Sequence, residues 1–312
     1  MMQNLPALGI DVGGGSAKIG IVSFAGEVLA QNTVVSDPNV SAAVLLDRYL
    51  ETASRMQASL GIKELCGIGI GLPGHIDFAG GTTRLGNVPA LDEFPIVDYL
   101  SAKSGNTVYI ENDATLAAVA EHRYGVGQGS KRFLTVALGT GIGVGFIENG
   151  KPVHTANGTM GDIGHVIVDP SGERSCRQGC HGCLESVASA LALEERYRVM
   201  RGSTHGLSTL FESARAGDQE CKHIIEEATQ FIGAALVTWM HIFAPDRIAF
   251  AGGVSAAGED LLGPIRTTVM RLAMADYASK ATILQATLGS KAGLVGAAAL
   301  CFSNHHHERG QS

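Results

Sequence analysis

A strand, a glycine-rich turn and a returning strand occur twice in this chain, in the same order and about 128 residues apart. The first copy runs through Leu8–Asp11, the glycines 13–15 and Ile19–Val22, and the second through Phe133–Leu138 and the turn Gly139-Thr-Gly-Ile-Gly143. Glycines in such turns leave backbone N–H groups open to close approach by an anion. A single glycine hairpin is usually only a tight turn. The duplication predicts two similar α/β domains that face each other across a central cleft, with room for a polyphosphate chain between the turns.

The run Tyr109-Ile-Glu-Asn-Asp113 joins a short strand to a helix. Apolar residues from Leu116 to Tyr124 recur at spacings of three and four, which is typical of a helix with one apolar face. Asp113 is therefore predicted beyond the carboxyl end of a strand, where open α/β sheets bind their ligands. Asn112 or Asp113 could simply be the N-cap of the helix, because both residue types are favoured there. Taken with the two glycine turns, the position favours a functional carboxylate.

The chain of 312 residues is long enough for two domains that each have a hydrophobic core. A composition of 45% hydrophobic and 17% charged residues, with a net charge of −7, is that of a globular protein. The sequence shows no basic block for nucleic acid or anionic membranes, no 18-residue apolar run and no signal-peptide pattern. Three of the six cysteines fall within eight residues, unlike an extracellular disulfide framework. We therefore expect a cytoplasmic protein without a nucleic-acid or membrane partner.

Ordered motifs along the chain resemble those of the ROK family (repressor, open reading frame, kinase) of sugar kinases, which have the actin-like, hexokinase-type ATPase fold. The resemblance extends from Gly9 to Leu300. The matching stretches are Asp11-Val-Gly-Gly14, Gly71-Leu-Pro-Gly74, Asn87-Val-Pro89, Glu111-Asn-Asp113, Gly139-Thr-Gly-Ile-Gly143, Gly161-Asp-Ile-Gly-His165, Gly182-Cys-Leu-Glu185, Ala251-Gly-Gly-Val-Ser255 and Ala292-Gly-Leu-Val-Gly296. The resemblance implies an α/β fold of two actin-like (RNase H-like) ATPase domains with a central cleft.

We expect a small N-terminal domain over residues 1–115, completed by a C-terminal helix over 291–303. A larger domain is expected over 116–290, and it would carry a zinc-binding loop. Residues 304–312 are expected to form a disordered tail, since the three histidines at 305–307 are more typical of a solvated end than of a metal site. The resemblance also implies a homodimer.

The family's residue roles transfer to matching positions of this chain. Asp113 would be the general base that takes the proton from the primary hydroxyl of the sugar as it attacks the γ-phosphate of ATP. The substrate-binding residues would be Asn87, Asn112, Asp113, Asp162, His165 and Glu185. The residues that bind ATP and Mg²⁺ would be Asp11, Gly13, Gly14, Lys18, Gly139, Thr140, Gly141, Gly143, Gly252 and Gly253. The function implied is ATP-dependent phosphorylation of a hexose at O6, most simply of glucose.

Zinc-binding members of the family use one histidine and three cysteines, and this chain departs from their spacing. His165, Cys176 and Cys183 match, but Gln178 stands at the middle cysteine position and Cys180 follows two residues later. Zinc accepts a tetrahedral Cys₃His set, and a flexible glycine loop could bring in Cys180. We expect a structural zinc ion on His165, Cys176, Cys180 and Cys183, with reduced free thiols as the alternative.

Two further departures bear on the phosphate donor and the sugar. Gly15 stands where the family usually has a hydroxyl side chain, and the spacing from Asp11 to Lys18 is closer to that of the family's polyphosphate glucokinases. Because those enzymes lack the cysteine cluster, ATP is the expected donor. Asp162 stands where the family usually has Glu, so its carboxylate is one methylene shorter, a difference that bears on which sugar is bound.

Several alternatives stay open at this point. N-acetylmannosamine, N-acetylglucosamine, allose or fructose could replace glucose, and polyphosphate could replace ATP. A non-catalytic sugar-binding regulator is an alternative of another class. The family's transcriptional repressors carry a helix-turn-helix domain before the first glycine hairpin, which here begins by Leu8; we therefore do not expect a repressor.

Overall fold

The structure, a computed structural model, describes residues 5–84, 86–202 and 206–309, with the backbone alone for 304–309. Contacts divide the chain into two compact units. The first unit contains the chain up to Gln128, the segment Lys151–Met160 and the residues from Ser290 on. The second unit contains Gly129–Gly150 and Gly161–Gly289. Each unit is described by itself.

The regular elements are numbered in chain order. The strands are β1 (Ala7–Val12), β2 (Ser16–Val22), β3 (Val28–Val35), β4 (Ile68–Leu72), β5 (His75–Asp77), β6 (Thr82–Arg84), β7 (Val108–Asn112), β8 (Arg132–Leu138), β9 (Ile142–Glu148), β10 (Lys151–Pro152), β11 (Arg247–Ala251) and β12 (Thr282–Gln285). The helices are α1 (Ala42–Leu60), α2 (Ile96–Ser104), α3 (Asp113–Tyr124), α4 (Leu184–Ala188), α5 (Ala190–Arg201), α6 (Leu207–Arg215), α7 (Gln219–Phe243), α8 (Glu259–Leu272), α9 (Ala275–Lys280) and α10 (Ala292–Arg309).

The first unit is built on a five-stranded sheet in the order β3-β2-β1-β4-β7. The three strands β1, β4 and β7 are parallel, while β2 and β3 extend the sheet as an antiparallel meander. Strands β1 and β4 are buried almost throughout, and their continuous apolar runs are typical of a sheet covered on both faces. The carboxyl ends of the three parallel strands therefore lie at one edge of the sheet.

Helix α10 packs directly on this sheet through glycines of the two central strands. A Cβ atom added at Gly9 would lie 2.3 Å from the carbonyl oxygen of Leu294, and one added at Gly69 would lie 1.7 Å from that of Ala297. Any side chain at either position would push the helix away from the sheet. The backbone of α10 thus requires small residues at these positions of β1 and β4.

The second unit repeats the order of the first in its strands β9-β8-β11-β12. Strands β8 and β9 are antiparallel, and β8, β11 and β12 are parallel, as β1, β4 and β7 are in the first unit. The short strand β10 follows β9 after the Asn149-Gly150 turn. The long helix α7 buries one face, which includes Trp239 and Met240. This strand order agrees with the duplication predicted from the glycine turns.

The boundary between the units differs from the expected one at residue 115. Helix α3 belongs to the first unit, because it packs against α10 and lies directly on β7 and β4. Residues 151–160 also return to the first unit.

Helices α4 and α5 are separated at Ser189, whose side chain caps α5 by accepting a hydrogen bond from the backbone N–H of Ala192. Helix α10 continues to Arg309, into the segment expected to be a tail, while residues 310–312 lie outside the described part of the chain. Within the described residues, none of the helices combines the length and the apolar character needed to cross a membrane.

Candidate active site

The junction of β7 and α3 has the structure expected from its sequence. Asn112 is the N-cap of α3: its side-chain oxygen accepts hydrogen bonds from the backbone N–H groups of Ala114 and Thr115 at 3.1 and 3.3 Å. Its Nδ2 donates to the carbonyl oxygen of Gly74 at 3.1 Å. Asp113 is consequently the first residue of the helix and not its cap. Asn112 therefore caps the helix, and the Asp113 carboxylate is available for a different role.

The Asp113 side chain is accessible to solvent, yet it is surrounded by enough protein to change its ionisation. The pKa of Asp113 is raised to about 6. Loss of solvation is the main cause and the Asp11 carboxylate contributes to the rise, while the hydrogen bond from the backbone N–H of Ala114 opposes it. The N–H of Ala114 lies 2.8 Å from Oδ1. A carboxylate with a pKa near 6 is largely ionised at neutral pH but is a better proton acceptor than an ordinary aspartate.

Asp11 lies at the end of β1, at the same edge of the sheet as Asp113. Burial raises the pKa of the Asp11 carboxyl, and the ammonium group of Lys18, its cross-strand partner on β2, opposes this rise. The Lys18 Nζ also donates to the carbonyl oxygen of Ser290 at 2.8 Å. A Cβ added at Gly293, in the first turn of α10, would lie 2.4 Å from the Asp11 carboxyl carbon. The carboxylate is thus at the N-terminus of α10, which favours its charged form.

The first glycine turn is held by its own backbone and lies beside one of the predicted sugar-binding residues. The N–H of Gly13 donates to the carbonyl oxygen of Ser16 at 2.9 Å. A Cβ added at Gly14 would lie 3.2 Å from the Asn87 Cβ. The structure of the first unit therefore brings together Asp11, Asn87 and the turn, and it puts Asp113 at the same sheet edge.

The second glycine turn is held by a carboxylate. The Oε2 atom of Glu185 accepts the backbone N–H of Ile142 at 2.9 Å, and a Cβ added at Gly141 would lie 2.3 Å from that oxygen. Glu185 lies in the first turn of α4, and its side chain points to this glycine turn. The third glycine loop is adjacent: Gly252 has φ of +87°, and a Cβ there would lie 2.3 Å from the carbonyl oxygen of Leu138, which ends β8.

Asp162 and His165 lie in a 3₁₀ turn formed by Gly161–His165. The turn packs closely on β9, since a Cβ at Gly164 would lie 1.9 Å from the carbonyl oxygen of Ile142. The Nδ1 atom of His165 faces the cysteines, so a hydrogen bond to a sugar would have to come from its Nε2. The second unit thus joins Glu185, Asp162 and His165 to the second glycine turn.

His165, Cys176, Cys180 and Cys183 form a cluster whose potential ligand atoms all lie within 4.8 Å of one another. The Nδ1 of His165 is 3.6 Å from the Cys176 Sγ and 3.7 Å from the Cys183 Sγ. Zinc bonds of about 2.0–2.3 Å in a tetrahedron give ligand separations of this size. The donor set and its geometry therefore fit zinc.

The backbone explains how Cys180 reaches the cluster. The N–H of Cys176 donates to the carbonyl oxygen of Cys180 at 2.9 Å, and the N–H of Gly179 donates to the carbonyl oxygen of Cys176 at 3.0 Å. This tight turn sets the two cysteines side by side, and Gly179 has the positive φ of +84° that the turn requires. Burial raises the pKa of the Cys183 thiol to about 11. Zinc binding would displace that proton, because the thiolate is the ligand.

Two residues to which the sequence patterns gave no role meet beside Asn112. Glu111 has a side chain only 3% exposed, and its Oε2 lies 2.8 Å from the His154 Nε2. A charged residue in the last positions of a buried strand is unusual, and that signal was present in the sequence. Its partner lies 43 residues away, and no local pattern predicts that pairing.

Known proteins resemble this chain over nearly its whole length. The ROK family model matches residues 7–304. The glucokinase of Thermotoga maritima is 33% identical over 314 residues, covering 96% of this chain and 98% of that protein. The ROK hexokinase of Thermus thermophilus has a TM-score of 0.84 at 29% identity, covering 97% of this chain and 100% of that one. The ROK family glucokinase of Streptomyces griseus, solved in complex with glucose and AMPPNP, has a TM-score of 0.79 at 31% identity, covering 95% and 98%.

The fold and these relatives define a sugar kinase with the α/β architecture of actin-like ATPases. The chain belongs to the ROK family. The family, the fold class and the class of enzyme predicted from the sequence are thereby confirmed.

Proposed function

We propose that this protein transfers the γ-phosphoryl group of ATP to O6 of a hexose, with glucose as the preferred sugar. The observation that carries the proposal is Asp113, a solvent-accessible carboxylate with a pKa raised to about 6 at the sheet edge where Asp11 and the first glycine turn also lie. The glucokinase names of the relatives support the choice of glucose.

In the proposed reaction, the primary hydroxyl of the sugar attacks the γ-phosphorus while its proton passes to the Asp113 carboxylate, and ADP leaves. A positioned base of this kind is typically worth about 10²–10⁴-fold in rate. The remaining acceleration comes from alignment and from neutralisation of the phosphate charge, as in phosphoryl transfer generally. The N-capped start of α3 fixes the backbone of Asp113, so the carboxylate has little freedom to drift from the attacking oxygen.

The two glycine turns are the proposed phosphate sites. Gly13 and Gly14 in the first unit and the Gly139–Gly143 turn with Thr140 in the second present backbone N–H groups, and Lys18 adds a positive charge. Gly252 and Gly253 would take the adenosine. Mg²⁺ bound near Asp11 would neutralise phosphate charge and fix the geometry of the phosphates.

Hydroxyl groups of the sugar would be held by short acidic and amide side chains. In the first unit these are Asn87, Asp113 and the Nδ2 of Asn112, which retains a second hydrogen to donate after its bond to Gly74. In the second unit they are Asp162, His165 and Glu185. Closure around the sugar would exclude water, which would otherwise compete as the acceptor.

We propose a structural zinc ion on His165, Cys176, Cys180 and Cys183. It would fix the loop that carries these cysteines and orient His165, whose Nε2 would remain for the sugar. The oligomer that we propose is a homodimer, which light scattering on the purified protein would test.

The test of this function is coupled release of ADP with ATP and Mg²⁺ over a panel of hexoses and N-acetylhexosamines. Saturable turnover with glucose, and weaker turnover with the other sugars, is the expected result. Polyphosphate replaces ATP in a parallel series, since the spacing from Asp11 to Lys18 is similar to that of polyphosphate enzymes. No turnover with any sugar and either donor, together with measurable sugar binding, would replace this proposal by a non-catalytic regulator.

A further inference from the structure

Glu111 is a buried carboxylate immediately before Asn112 and Asp113. Its Oε1 accepts the backbone N–H of Asn112 at 2.8 Å, and its Oε2 lies 2.8 Å from the His154 Nε2. Burying a charge costs free energy unless it is paired and hydrogen-bonded. Both oxygens of Glu111 are engaged, one by the backbone of the segment that carries the candidate base and the other by a distant histidine.

His154 is itself fixed from two sides. Its ring packs on Phe78 with ring centroids 4.6 Å apart. The segment that carries it is tied to β5, because the N–H of Ile76 donates to the carbonyl oxygen of Asn157 at 3.3 Å. A Cβ added at Gly158 would lie 1.9 Å from the carbonyl oxygen of Ile76, so the two backbones are in direct contact. The position of the imidazole is therefore fixed by contacts other than the one with Glu111.

The segment Lys151–Met160 belongs to the first unit, although the residues on either side of it belong to the second. Along the chain it leads directly to Gly161–His165, which carries two of the proposed sugar-binding residues. The His154–Glu111 contact joins this segment to the strand end that carries Asp113. Within the first unit, the contact thus ties the residues just before Asp113 to the segment that precedes Gly161–His165 in the chain.

We propose that His154 and Glu111 are positioning residues for the phosphoryl transfer, holding the Asn112–Asp113 backbone in the orientation in which Asp113 receives the sugar's proton. This inference rests on the proposed function. His154 donates through Nε2 to Glu111, and Glu111 holds the N–H of Asn112. The Asn112 side chain then fixes the first turn of α3. A displacement of about 1 Å at a reacting group can cost roughly 10²-fold in rate.

Three substitutions at His154 test the hydrogen bond. Glutamine can place an amide N–H where Nε2 lies, whereas asparagine has the same chemistry but is one methylene too short, and alanine removes the donor. The side chain borders a cavity of about 700 Å³, so each replacement can be accommodated. With the sugar found for the wild-type protein, His154→Ala and His154→Asn should lower kcat about 10- to 100-fold. Their KM for ATP should stay within about threefold of the wild-type value, and His154→Gln should restore most of kcat.

His241→Ala is the matched control. His241 also uses Nε2 in a hydrogen bond, here accepting from the backbone N–H of Met274 at 3.2 Å, and its ring also packs on an aromatic ring, that of Tyr277 at 5.0 Å. It lies near the end of α7, which belongs to the second unit. If the His154 substitutions act only by destabilising the fold, His241→Ala should show a similar loss of activity and of thermal stability. In that case kcat would not fall separately from KM.

The outcomes divide as follows. Folded alanine and asparagine variants with kcat within threefold of wild type would overturn the inference while the proposed function stands. A glutamine variant as slow as the asparagine variant would also overturn it, because the hydrogen bond would then not be the cause. If the alanine variant does not fold, the glutamine and asparagine pair decides. Lack of turnover by the wild-type chain would overturn the proposed function and this inference together.

Discussion

The two glycine turns of this protein have the same place in two similar sheets, yet they are held in different ways. Each turn is closed by a backbone hydrogen bond, from Gly13 to Ser16 in the first and from Gly139 to Gly141 in the second. In the turn between β1 and β2, the backbone N–H of Ser36 also donates to the carbonyl oxygen of Gly15, and a Cβ added at Gly15 would meet no atom of the described residues within 4 Å. The turn between β8 and β9 is braced by Glu185, which leaves no space for a side chain at Gly141. A duplicated backbone has thus diverged in the side chains that support it.

The ends of the outer parallel strands differ as well. Strand β7 runs into Asn112-Asp113 and a capped helix, whereas β12 ends at Gln285 and is followed by residues that carry no carboxylate before the 3₁₀ turn Gly289–Lys291. Under the proposed function, the first sheet would supply the acid–base chemistry and the second would supply a phosphate turn braced by Glu185. The following experiments test this division of roles.

Asp113→Asn should have the largest effect. It keeps the shape of the side chain but removes the proton acceptor, so kcat should fall by about 10²–10⁴-fold while sugar binding, measured by calorimetry, is largely kept. Asp98→Asn is the matched control, since Asp98 is an exposed carboxylate in the first turn of α2 in the same unit. A kcat retained within tenfold would remove Asp113 from the role of base.

Gly141→Ala should have the next largest effect. The new Cβ would lie 2.3 Å from the Glu185 Oε2, so the carboxylate must move and release the N–H of Ile142. We expect kcat/KM to fall about 10- to 100-fold for both ATP and the sugar, because Glu185 braces the proposed phosphate turn and is also a proposed ligand of the sugar. Steady-state kinetics with each substrate varied in turn would measure this, and normal values for both substrates would contradict the bracing role of Glu185.

The pH dependence of the rate should report the base of the first unit. Since the pKa of Asp113 is raised to about 6, its carboxylate is protonated below that pH and can no longer accept the proton of the sugar. We expect kcat/KM to be level above about pH 7 and to fall tenfold for each pH unit well below 6. Enzyme returned from pH 5 to pH 7.5 should recover full activity, which separates titration from unfolding. A profile that stays level down to pH 5 would argue against this assignment.

Loss of the proposed zinc ion should have a smaller effect on turnover and a local effect on the structure. Cys180→Ser should lower zinc affinity at least tenfold and reduce the zinc measured by mass spectrometry from about one ion per chain. Faster hydrogen exchange should be confined to the loop around 165–183 in the second unit. Cys66→Ser, a half-buried thiol of the first unit, is the control.

A double variant would sharpen the zinc prediction. Gln178→Cys with Cys180→Ser restores the cysteine spacing of other family members. Because the turn from Cys176 to Cys180 is built around Gly179, we expect this variant to bind zinc less tightly than the wild-type chain. Equal zinc content in the Cys180→Ser variant and the wild type would show that Cys180 is not a ligand.

Gly15→Ala should have the smallest effect and completes the comparison of the turns. Since the space around the added methyl group is open, kcat/KM for ATP should change by no more than about threefold. The losses of kcat/KM caused by Gly15→Ala and by Gly141→Ala should therefore differ by about an order of magnitude or more. Equal losses at both positions would mean that the turns are supported alike.

Much of the architecture followed from local sequence patterns. The glycine turns predicted the duplicated sheets, because strand and turn signals are local, and the β7–α3 junction predicted the position of Asp113. The hairpin of β5 and β6 was not predicted, since strands of three residues carry too little periodicity. The break at Ser189 was missed because the apolar spacing continues through it, and only the capping hydrogen bond marks the start of α5.

The side-chain partners could be predicted far less well. The place of Cys180 in the cysteine cluster depends on a tight turn whose hydrogen bonds are invisible in the spacing of the cysteines. The pairs of Glu185 with the second turn and of His154 with Glu111 each span 43 residues, and such contacts depend on tertiary packing. The sequence thus predicts candidate site residues, but it does not predict the contacts that hold them in place.

The docking of α10 against β1 and β4 affects how the protein folds during its synthesis on the ribosome. The glycines of β1 and β4 accept helix α10, which is translated after the second unit, so the first unit cannot complete its core until that helix has emerged. Domains are usually completed in the order in which they are translated. Here the second unit, whose residues end at Gly289, can finish first, and strands β1 and β4 must wait for α10.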